Sequence, residues 1–223
     1  LVGSEMCIRD SIMKDGKIIV ATNAEFPPFE YLDGDTITGF DIDLIKLYAK
    51  YLGVDIEINN IDFDGALLSV SSNKADLVIA GVTKNEKREQ SLSFSNGYFS
   101  ASQVVIVKKN SNISGTTIEE IRESLSQNNA TIGAQAGTVG EYYAKGDSDW
   151  DFEIIPNTIC QTYDNGALAI KALNNGQIDA VIIDKLPAIE LTKSYSELQI
   201  LDTTLTEEEL SLIHISEPTR PEP

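Results

Sequence analysis

Apolar segments that alternate with amphipathic ones constrain the fold of this chain more than any other feature. Short runs rich in valine, isoleucine and alanine, such as 17–21, 103–108 and 179–183, are separated by stretches whose apolar residues recur every three to four positions. Strands that alternate with helices in this way are typical of α/β folds with largely parallel sheets. The sequence therefore predicts an α/β protein.

The alternation divides into two successive units, 12–100 and 101–205, each of a size usual for a domain. The break near 97–102 carries no flexible spacer, which indicates a hinge. The predicted strands of the two units are 17–21, 54–58, 77–80, 103–108, 130–134, 152–155, 179–183 and 198–201. The predicted helices are 41–52, 64–72, 117–125, 138–144, 165–174 and 186–192.

Both ends of the chain differ from its body. Residues 1–11 and 211–223 have no periodicity that continues their neighbours, and both resemble translated sequencing-adapter read-through. We therefore expect both segments to be artefacts, and the genuine protein, 12–210, to be cut short at both ends, with its signal peptide lost. A real N-terminal arm and a real proline-rich tail are the alternative.

Composition excludes several classes of function. Without the two ends, one cysteine (Cys160) and no histidine remain, which excludes an internal disulfide, a cysteine-rich zinc site and catalysis by Ser-His-Asp or Cys-His groups. The formal net charge of −18 at pH 7 makes nucleic acid and anionic membrane surfaces unfavourable partners, because both are themselves negative. We expect no metal, no other cofactor and no nucleic-acid partner.

Aromatic residues on a stiff loop follow the first predicted strand. The segment 21–31 (ATNAEFPPFEY) contains Phe26 and Phe29 around two prolines, which cannot donate hydrogen bonds to a sheet. Open α/β sheets bind ligands outside the carboxyl ends of their strands, so we expect this loop to cover a ligand. Phe29 is assigned to the core beneath the loop.

This opening resembles that of the amino-acid-binding proteins of ABC importers, the bacterial extracellular solute-binding proteins of family 3. The segments 39–44 (GFDIDL) and 94–99 (FSNGYF) extend the resemblance, although Asn96 and Gly97 replace the acid and proline that are usual there. It implies two α/β lobes joined by a hinge, a type II periplasmic binding protein fold with the ligand in the interlobe cleft. It also implies that 206–210 returns to lobe 1, whose C-terminal strand and helices would be missing.

The segment 80–88 (AGVTKNEKR) could bind the carboxylate of a free amino acid, since an arginine fork matches a carboxylate bidentately. The resemblance implies that Arg88 and Thr83 bind the ligand carboxylate. It also implies that the Gly81 carbonyl, next to Ala80, helps to hold the ligand ammonium group. Local sequence alone favours a solvated Arg88 paired with a glutamate; the spacing shared with the family favours the site.

The second lobe would supply further polar contacts. In 135–140 (QAGTVG), between a strand and a helix, Thr138 and the Val139 amide could close on the same carboxylate, because helix N-termini bind anions. Gln135 is a further predicted ligand-binding residue of this segment. An ordinary glycine turn fits this segment equally well. Asp184, at the end of a buried strand, is the predicted partner of the ligand ammonium group, with a solvated loop aspartate as the alternative.

Aromatic and polar side chains would complete the pocket. Phe26 and Phe63 are its predicted aromatic walls, with plain core packing as the alternative for Phe63. Asn23 and Glu25 would border the pocket and read the ligand side chain, and Glu25 would suit a cationic ligand.

The leading hypothesis is a monomeric extracytoplasmic solute-binding protein, without catalytic residues. It would reside in the periplasm or be a lipoprotein anchored at the outer face of the membrane. It would capture a polar amino acid and deliver it to an ABC transporter permease. Two alternatives stay open: an amino-acid-sensing domain of a receptor, and a cyclohexadienyl dehydratase-like enzyme on the same fold that uses Glu25 for proton transfer.

Overall fold

The computed structural model describes residues 8–214, with side chains from Ile12 onward. The described chain divides into two compact units. The first unit contains 8–24, 29–98 and 210–214, and the second contains 25–28 and 99–209. Among the helices of the described residues, none has the length and apolar character needed to cross a membrane.

Helices and strands alternate along both units. The helices are α1 (Ile8–Asp15), α2 (Phe40–Leu52), α3 (Phe63–Ser71), α4 (Glu86–Glu89), α5 (Ile118–Gln127), α6 (Val139–Lys145), α7 (Gly166–Asn174) and α8 (Lys185–Thr192), with a 3₁₀ turn at Ser148–Trp150. The strands are β1 (Lys17–Thr22), β2 (Glu25–Phe26), β3 (Glu30–Asp33), β4 (Thr36–Thr38), β5 (Asp55–Asn60), β6 (Leu77–Val78), β7 (Ser93–Phe94), β8 (Phe99–Ala101), β9 (Gln103–Lys108), β10 (Thr131–Gln135), β11 (Ile159–Tyr163), β12 (Ala180–Asp184), β13 (Leu198–Ile200), β14 (Glu208–Leu210) and β15 (Ile213–His214).

The first unit is built on a five-stranded sheet with the order β5-β1-β6-β15-β7. Strand β1 runs parallel to β5 and β6, whereas β15 is antiparallel to β6 and β7. Helix α2 packs on this sheet through Ile45 and Ala49, in one core cluster with Ile18 and Val20 of β1. Because β1 and β6 are parallel neighbours, the residues that follow them emerge at the same sheet edge.

The second unit has a sheet with the order β11-β10-β12-β9-β13. Strands β11, β10 and β12 are parallel, and β9 pairs antiparallel with β12. All five residues of β12 are buried, as expected of a central strand covered on both faces. The parallel pairing of β10 and β12 brings Gln135 and Asp184, their last residues, to one edge of the sheet.

The predicted strand at 152–155 is wrong. Phe152 forms only an isolated bridge with Asp147, and the edge strand is β11, further along the chain. Ile155 is buried in the core and Phe152 packs against it, so these apolar residues anchor a loop rather than a strand. Strand β11 is an edge strand whose residues are exposed or half-buried, so it carries no apolar run that would reveal it.

Parts of the predicted adapter segments take part in the first unit. Helix α1 begins at Ile8, and Ile213 of β15 is fully buried between β6 and β7. A strand of two residues is too short to show a period, so the sequence gives no signal for β15. Residues 1–7 and 215–223 lie outside the described residues, and the origin of both ends as read-through stays a prediction.

Candidate functional site

The turn after β6 is held by a buried carboxylate at the start of α2. Gly81 adopts the left-handed backbone conformation, with φ of 55°, and its N–H donates to Asp41 Oδ2 at 3.0 Å. The Tyr98 hydroxyl donates to the same oxygen at 2.8 Å. Burial raises the pKa of Asp41, while hydrogen bonds from Glu30, Gly81 and Tyr98 act in the opposite direction. The predicted carboxylate-binding turn is thus fixed within its own unit.

Arg88, Thr83 and Phe63 lie together in the first unit. The short helix α4 is capped by Asn85, whose Oδ1 accepts the Arg88 N–H at 2.9 Å. Arg88 Nη1 donates to the Thr83 carbonyl at 2.7 Å, and the guanidinium carbon lies 5.8 Å from the centroid of the Phe63 ring. The half-buried guanidinium is therefore held in one orientation by a carbonyl and an aromatic face.

Phe63 also packs in the core. Its side chain is 8% exposed and belongs to a cluster that includes Ala66, Val78 and Ala80. The core-packing interpretation of Phe63 is therefore observed, and its role as an aromatic wall stays a prediction. Ala80 is buried in the same cluster, directly before the Gly81 turn.

The loop after β1 divides between the two units. Asn23 belongs to the first unit, is buried, and donates from Nδ2 to the Ile61 carbonyl at 3.0 Å, which ties the ends of β1 and β5 together. Glu25 and Phe26 form β2 and cluster with the second unit. Glu25 is exposed and Phe26 is buried. Phe29 is 2% exposed, which confirms its predicted place in the core.

The predicted anion loop of the second unit leads into α6. Thr138 occupies the N-cap position, and its hydroxyl donates to the Gln135 carbonyl at 2.8 Å. Gly137 has φ of 76°, and its N–H donates to Glu141 Oε2 at 2.6 Å. Gln135 and Val139 are both buried. The loop is therefore ordered by its own hydrogen bonds, and one of its amides already faces a carboxylate.

Asp184 ends β12 and is 7% exposed. Its Oδ2 accepts a hydrogen bond from Gln103 Nε2 at 2.8 Å. Gln103 is fully buried, lies opposite Asp184 in the register of β9 and β12, and also donates to Glu208 Oε1 at 3.1 Å. The predicted ammonium partner is thus a carboxylate held by a neutral amide.

Sequence reasoning missed Asp41 and Gln103. Each is a polar residue beside an apolar run, Asp41 in GFDIDL and Gln103 directly before VVIV. In a single sequence such residues cannot be distinguished from surface residues at the end of an element. A polar residue at a position whose strand or helix periodicity predicts burial is the signal that could have indicated them.

The described residues contain no cluster of three or more histidine, cysteine, aspartate or glutamate side chains that could hold a metal ion. Burial raises the pKa of the Cys160 thiol to about 11, so this thiol is protonated at neutral pH. A protonated, half-buried thiol that packs against the core of the second unit is a small packing residue rather than a nucleophile.

Comparison with known proteins supplies the family. Residues 18–169 match the bacterial extracellular solute-binding proteins, family 3. The chain is 31% identical over 185 residues to the arginine-binding extracellular protein ArtP of Bacillus subtilis, a match that covers 82% of this chain and 67% of ArtP. It is 34% identical over 171 residues to a probable histidine-binding protein of Neisseria gonorrhoeae, covering 76% of this chain and 59% of that protein.

Among solved structures, the arginine-bound form of a truncated ArgBP from T. maritima superposes with a TM-score of 0.81 at 32% identity, covering 93% of this chain and 92% of that one. The chain belongs to the family 3 bacterial extracellular solute-binding proteins and has the two-lobed α/β fold of type II periplasmic binding proteins. Both the resemblance and the fold class are confirmed. The chain spans about 59 to 67% of the length of the first curated relatives it matches.

Proposed function

We propose that this protein is an extracytoplasmic solute-binding protein that captures a polar α-amino acid and delivers it to an ABC transporter permease. The observation that carries the proposal is the fixed guanidinium of Arg88, held against the Thr83 carbonyl and the Phe63 ring. Relatives whose names specify arginine or histidine binding support the same substrate class.

The carboxylate of the amino acid would bind Arg88. A guanidinium has five N–H donors in a fixed fork, and the bond to the Thr83 carbonyl sets the orientation of that fork. An edge of the fork matches a carboxylate bidentately. Thr83, Thr138 and the Val139 amide would add donors, and Gln135 is a further proposed ligand-binding residue.

The ammonium group would bind Asp184, with help from the Gly81 carbonyl next to Ala80. A carboxylate that is 7% exposed is poorly hydrated, so a ligand cation that reaches it displaces little water. Phe26 and Phe63 would cover the apolar part of the ligand, and Asn23 and Glu25 would lie near its side chain.

The acidic charge of the chain favours cationic amino acids. A formal net charge of −18 raises the local concentration of cations through long-range attraction. L-arginine and L-histidine are therefore the first ligands to test. The family's description as extracellular supports a place outside the cytoplasm. We further propose that the protein acts as a monomer, in the periplasm or anchored by a lipid to the outer face of the membrane.

A thermal-shift screen of the 223-residue chain against L-arginine, L-histidine, L-cystine and L-glutamine tests the proposal. A ligand at about 100 times its Kd adds roughly 2.7 kcal/mol to the free energy of unfolding, which gives a clear shift. Arg88→Ala and Asp184→Ala should abolish the shift while leaving the protein folded.

Arg122→Ala is the matched control. Arg122 also donates to main-chain carbonyls, of Glu153 and Ile154, and its guanidinium carbon lies 5.6 Å from the ring centroid of Tyr143. If Arg122→Ala lost the ligand shift as completely as Arg88→Ala, the loss would reflect general damage and the site assignment would be wrong. Turnover of prephenate or arogenate by the unsubstituted chain would instead favour the dehydratase hypothesis.

A further inference from the structure

We propose that Asn96 is a site of spontaneous covalent modification, at which its side-chain amide is converted to a carboxylate through a cyclic imide formed with Gly97. The pair lies between β7 and β8, in the segment where the chain passes from the first unit to the second. The reaction needs only water and no bound ligand, so it does not depend on the proposed function.

The chemistry uses the two groups that an Asn-Gly pair brings together. The main-chain nitrogen of Gly97 attacks Cγ of Asn96 and forms a C–N bond, and the side-chain amide leaves as ammonia with the proton of the attacking nitrogen. Water then opens the imide: opening at Cγ gives aspartate, and opening at the main-chain carbonyl carbon gives isoaspartate. Glycine favours the attack because it has no Cβ atom to hinder the nitrogen or to restrict the backbone.

Main-chain hydrogen bonds on either side of the pair leave it in a bulge. The Ser95 N–H donates to the Leu212 carbonyl and the Tyr98 N–H donates to the Leu210 carbonyl, both at 2.9 Å. The two residues between these bonds face only one on the opposite segment. That is the arrangement of a β-bulge, in which the ladder of hydrogen bonds is interrupted.

The reacting groups of the pair are accessible. Asn96 and Gly97 are both exposed, and no residue that the structure describes accepts a hydrogen bond from the Gly97 N–H. The Ser95 hydroxyl donates to the Asn96 main-chain carbonyl at 2.8 Å. That carbonyl shares a peptide group with the attacking nitrogen, so the bond polarises the group and favours loss of the N–H proton.

A second Asn-Gly pair, at the start of α7, is protected by its cap. Asn165 is the N-cap residue, and its Oδ1 accepts the Leu168 N–H at 2.8 Å, which holds Cγ in place. Gly166 is buried in the first turn of the helix. The amide must leave the cap before it can react.

A third pair follows the end of α7. The Gly176 N–H donates to the Leu173 carbonyl at 2.9 Å, and Gly176 has φ of 74°. Asn175 is exposed like Asn96, so exposure alone does not distinguish the two pairs. The difference is the hydrogen bond of the attacking nitrogen, which must break before attack at Asn175.

The test follows all three pairs in one sample. Trypsin separates them into the peptides 89–108, 146–171 and 172–185. The full chain is incubated at mildly alkaline pH, folded and in guanidinium chloride, and mass spectrometry of the peptides follows the conversion of amide to acid. Electron-transfer fragmentation distinguishes isoaspartate from aspartate, and a sample digested at the start corrects for reaction during digestion.

In denaturant the three pairs should react at similar rates. In the folded chain we expect Asn96 to keep its denatured rate to within about twofold, and Asn165 and Asn175 to react at least about tenfold more slowly, because local opening must precede attack there. Isoaspartate should form at Asn96 together with aspartate. Asn96→Gln, whose longer side chain closes the ring less readily, should remove the product at this position and leave the other two rates unchanged.

Equal rates at the three pairs in the folded chain would show that the fold does not select Asn96, and would overturn the proposal. It would also be overturned if folding slowed Asn96 as strongly as Asn165 and Asn175. Aspartate formed at Asn96 without isoaspartate would exclude the cyclic imide, because direct hydrolysis of the side-chain amide yields aspartate alone.

Discussion

Asp41 in the first unit and Asp184 in the second are both buried carboxylates that accept hydrogen bonds from neutral donors. Asp41 is fully buried and accepts hydrogen bonds from a main-chain N–H and a tyrosine hydroxyl. Asp184 lies at a strand end, is slightly exposed, and is held by a side-chain amide of the opposite strand. The same chemical group thus braces a turn in one unit and, in our proposal, meets the ligand in the other.

The sharpest test of this comparison exchanges each aspartate for alanine. Asp184→Ala should reduce amino-acid affinity by about 2 to 5 kcal/mol, the range for truncating one partner of a buried charge pair. Asp41→Ala should lower the free energy of unfolding by about 1 to 3 kcal/mol, because it leaves the Gly81 N–H and the Tyr98 hydroxyl without their acceptor.

Calorimetry and urea denaturation on both variants separate the two effects. Asp202→Ala, at an exposed position, is the control for loss of a negative charge and should change neither quantity appreciably. The comparison fails if Asp184→Ala unfolds the protein as strongly as Asp41→Ala while binding is retained.

The second largest effect on amino-acid affinity is expected from a change of the Arg88 guanidinium group. Arg88→Lys should weaken amino-acid binding by about 1 to 3 kcal/mol, because an ammonium group cannot reproduce a bidentate contact with a carboxylate. Arg122→Lys should leave the affinity unchanged. An affinity of Arg88→Lys equal to that of the unsubstituted chain, measured by titration calorimetry, would show that the fork geometry of Arg88 is not used.

A smaller effect on stability is expected from a substitution in the Gly81 turn, which Asp41 holds in place. Gly81→Ala should cost about 1 to 2 kcal/mol of stability, because its left-handed backbone is strained for a residue with a Cβ atom. Gly34→Ala, with φ of 59° and open space around the added atom, should show a similar loss of stability. Only Gly81→Ala should also weaken amino-acid binding; equal binding by both variants would separate the turn from the site.

The smallest expected effect is a dependence of stability on pH. Burial raises the pKa of Asp41 above its ordinary 3.8. The protonated group therefore stabilises the fold fully below pH 3.8, and this stabilisation is lost as the pH rises through the raised pKa. Glu30→Gln, which supplies a neutral donor, should flatten this loss in urea denaturation across the acidic range.

Glu120→Gln should change the pH dependence of stability in the opposite direction. Hydrogen bonds from the Thr116 N–H and hydroxyl lower the pKa of Glu120 below its ordinary 4.5. Its contribution is present above pH 4.5 and is lost as the pH falls through the lowered pKa. If Glu30→Gln and Glu120→Gln shifted the pH profile in the same direction, the contribution of Asp41 to the pH dependence of stability would be refuted.

Much of the fold could be predicted, because buried parallel strands are continuous apolar runs. The strand predicted at 103–108 agrees with β9, and the helix predicted at 41–52 differs from α2 by one residue. The edge strand β11 could not be predicted, because its side chains are largely exposed and an apolar loop residue, Ile155, gave a stronger signal.

The candidate site was predicted only in part. Arg88 and Thr83 could be placed together because the spacing from Gly81 to Arg88 matches that of the family the chain resembles. Gln103 and Asp41 act through contacts between residues distant in sequence, 81 positions apart for Gln103 and Asp184. No local pattern encodes such a contact. The binding roles assigned to the site residues stay predictions.

Titration calorimetry of the 223-residue chain with L-arginine, L-histidine, L-cystine and L-glutamine tests the central claim most directly. We expect saturable binding of at least one of these amino acids at one site per chain, lost in both Arg88→Ala and Asp184→Ala and retained in Arg122→Ala. A folded chain that releases no binding heat with any of the four, at several temperatures, would contradict the account.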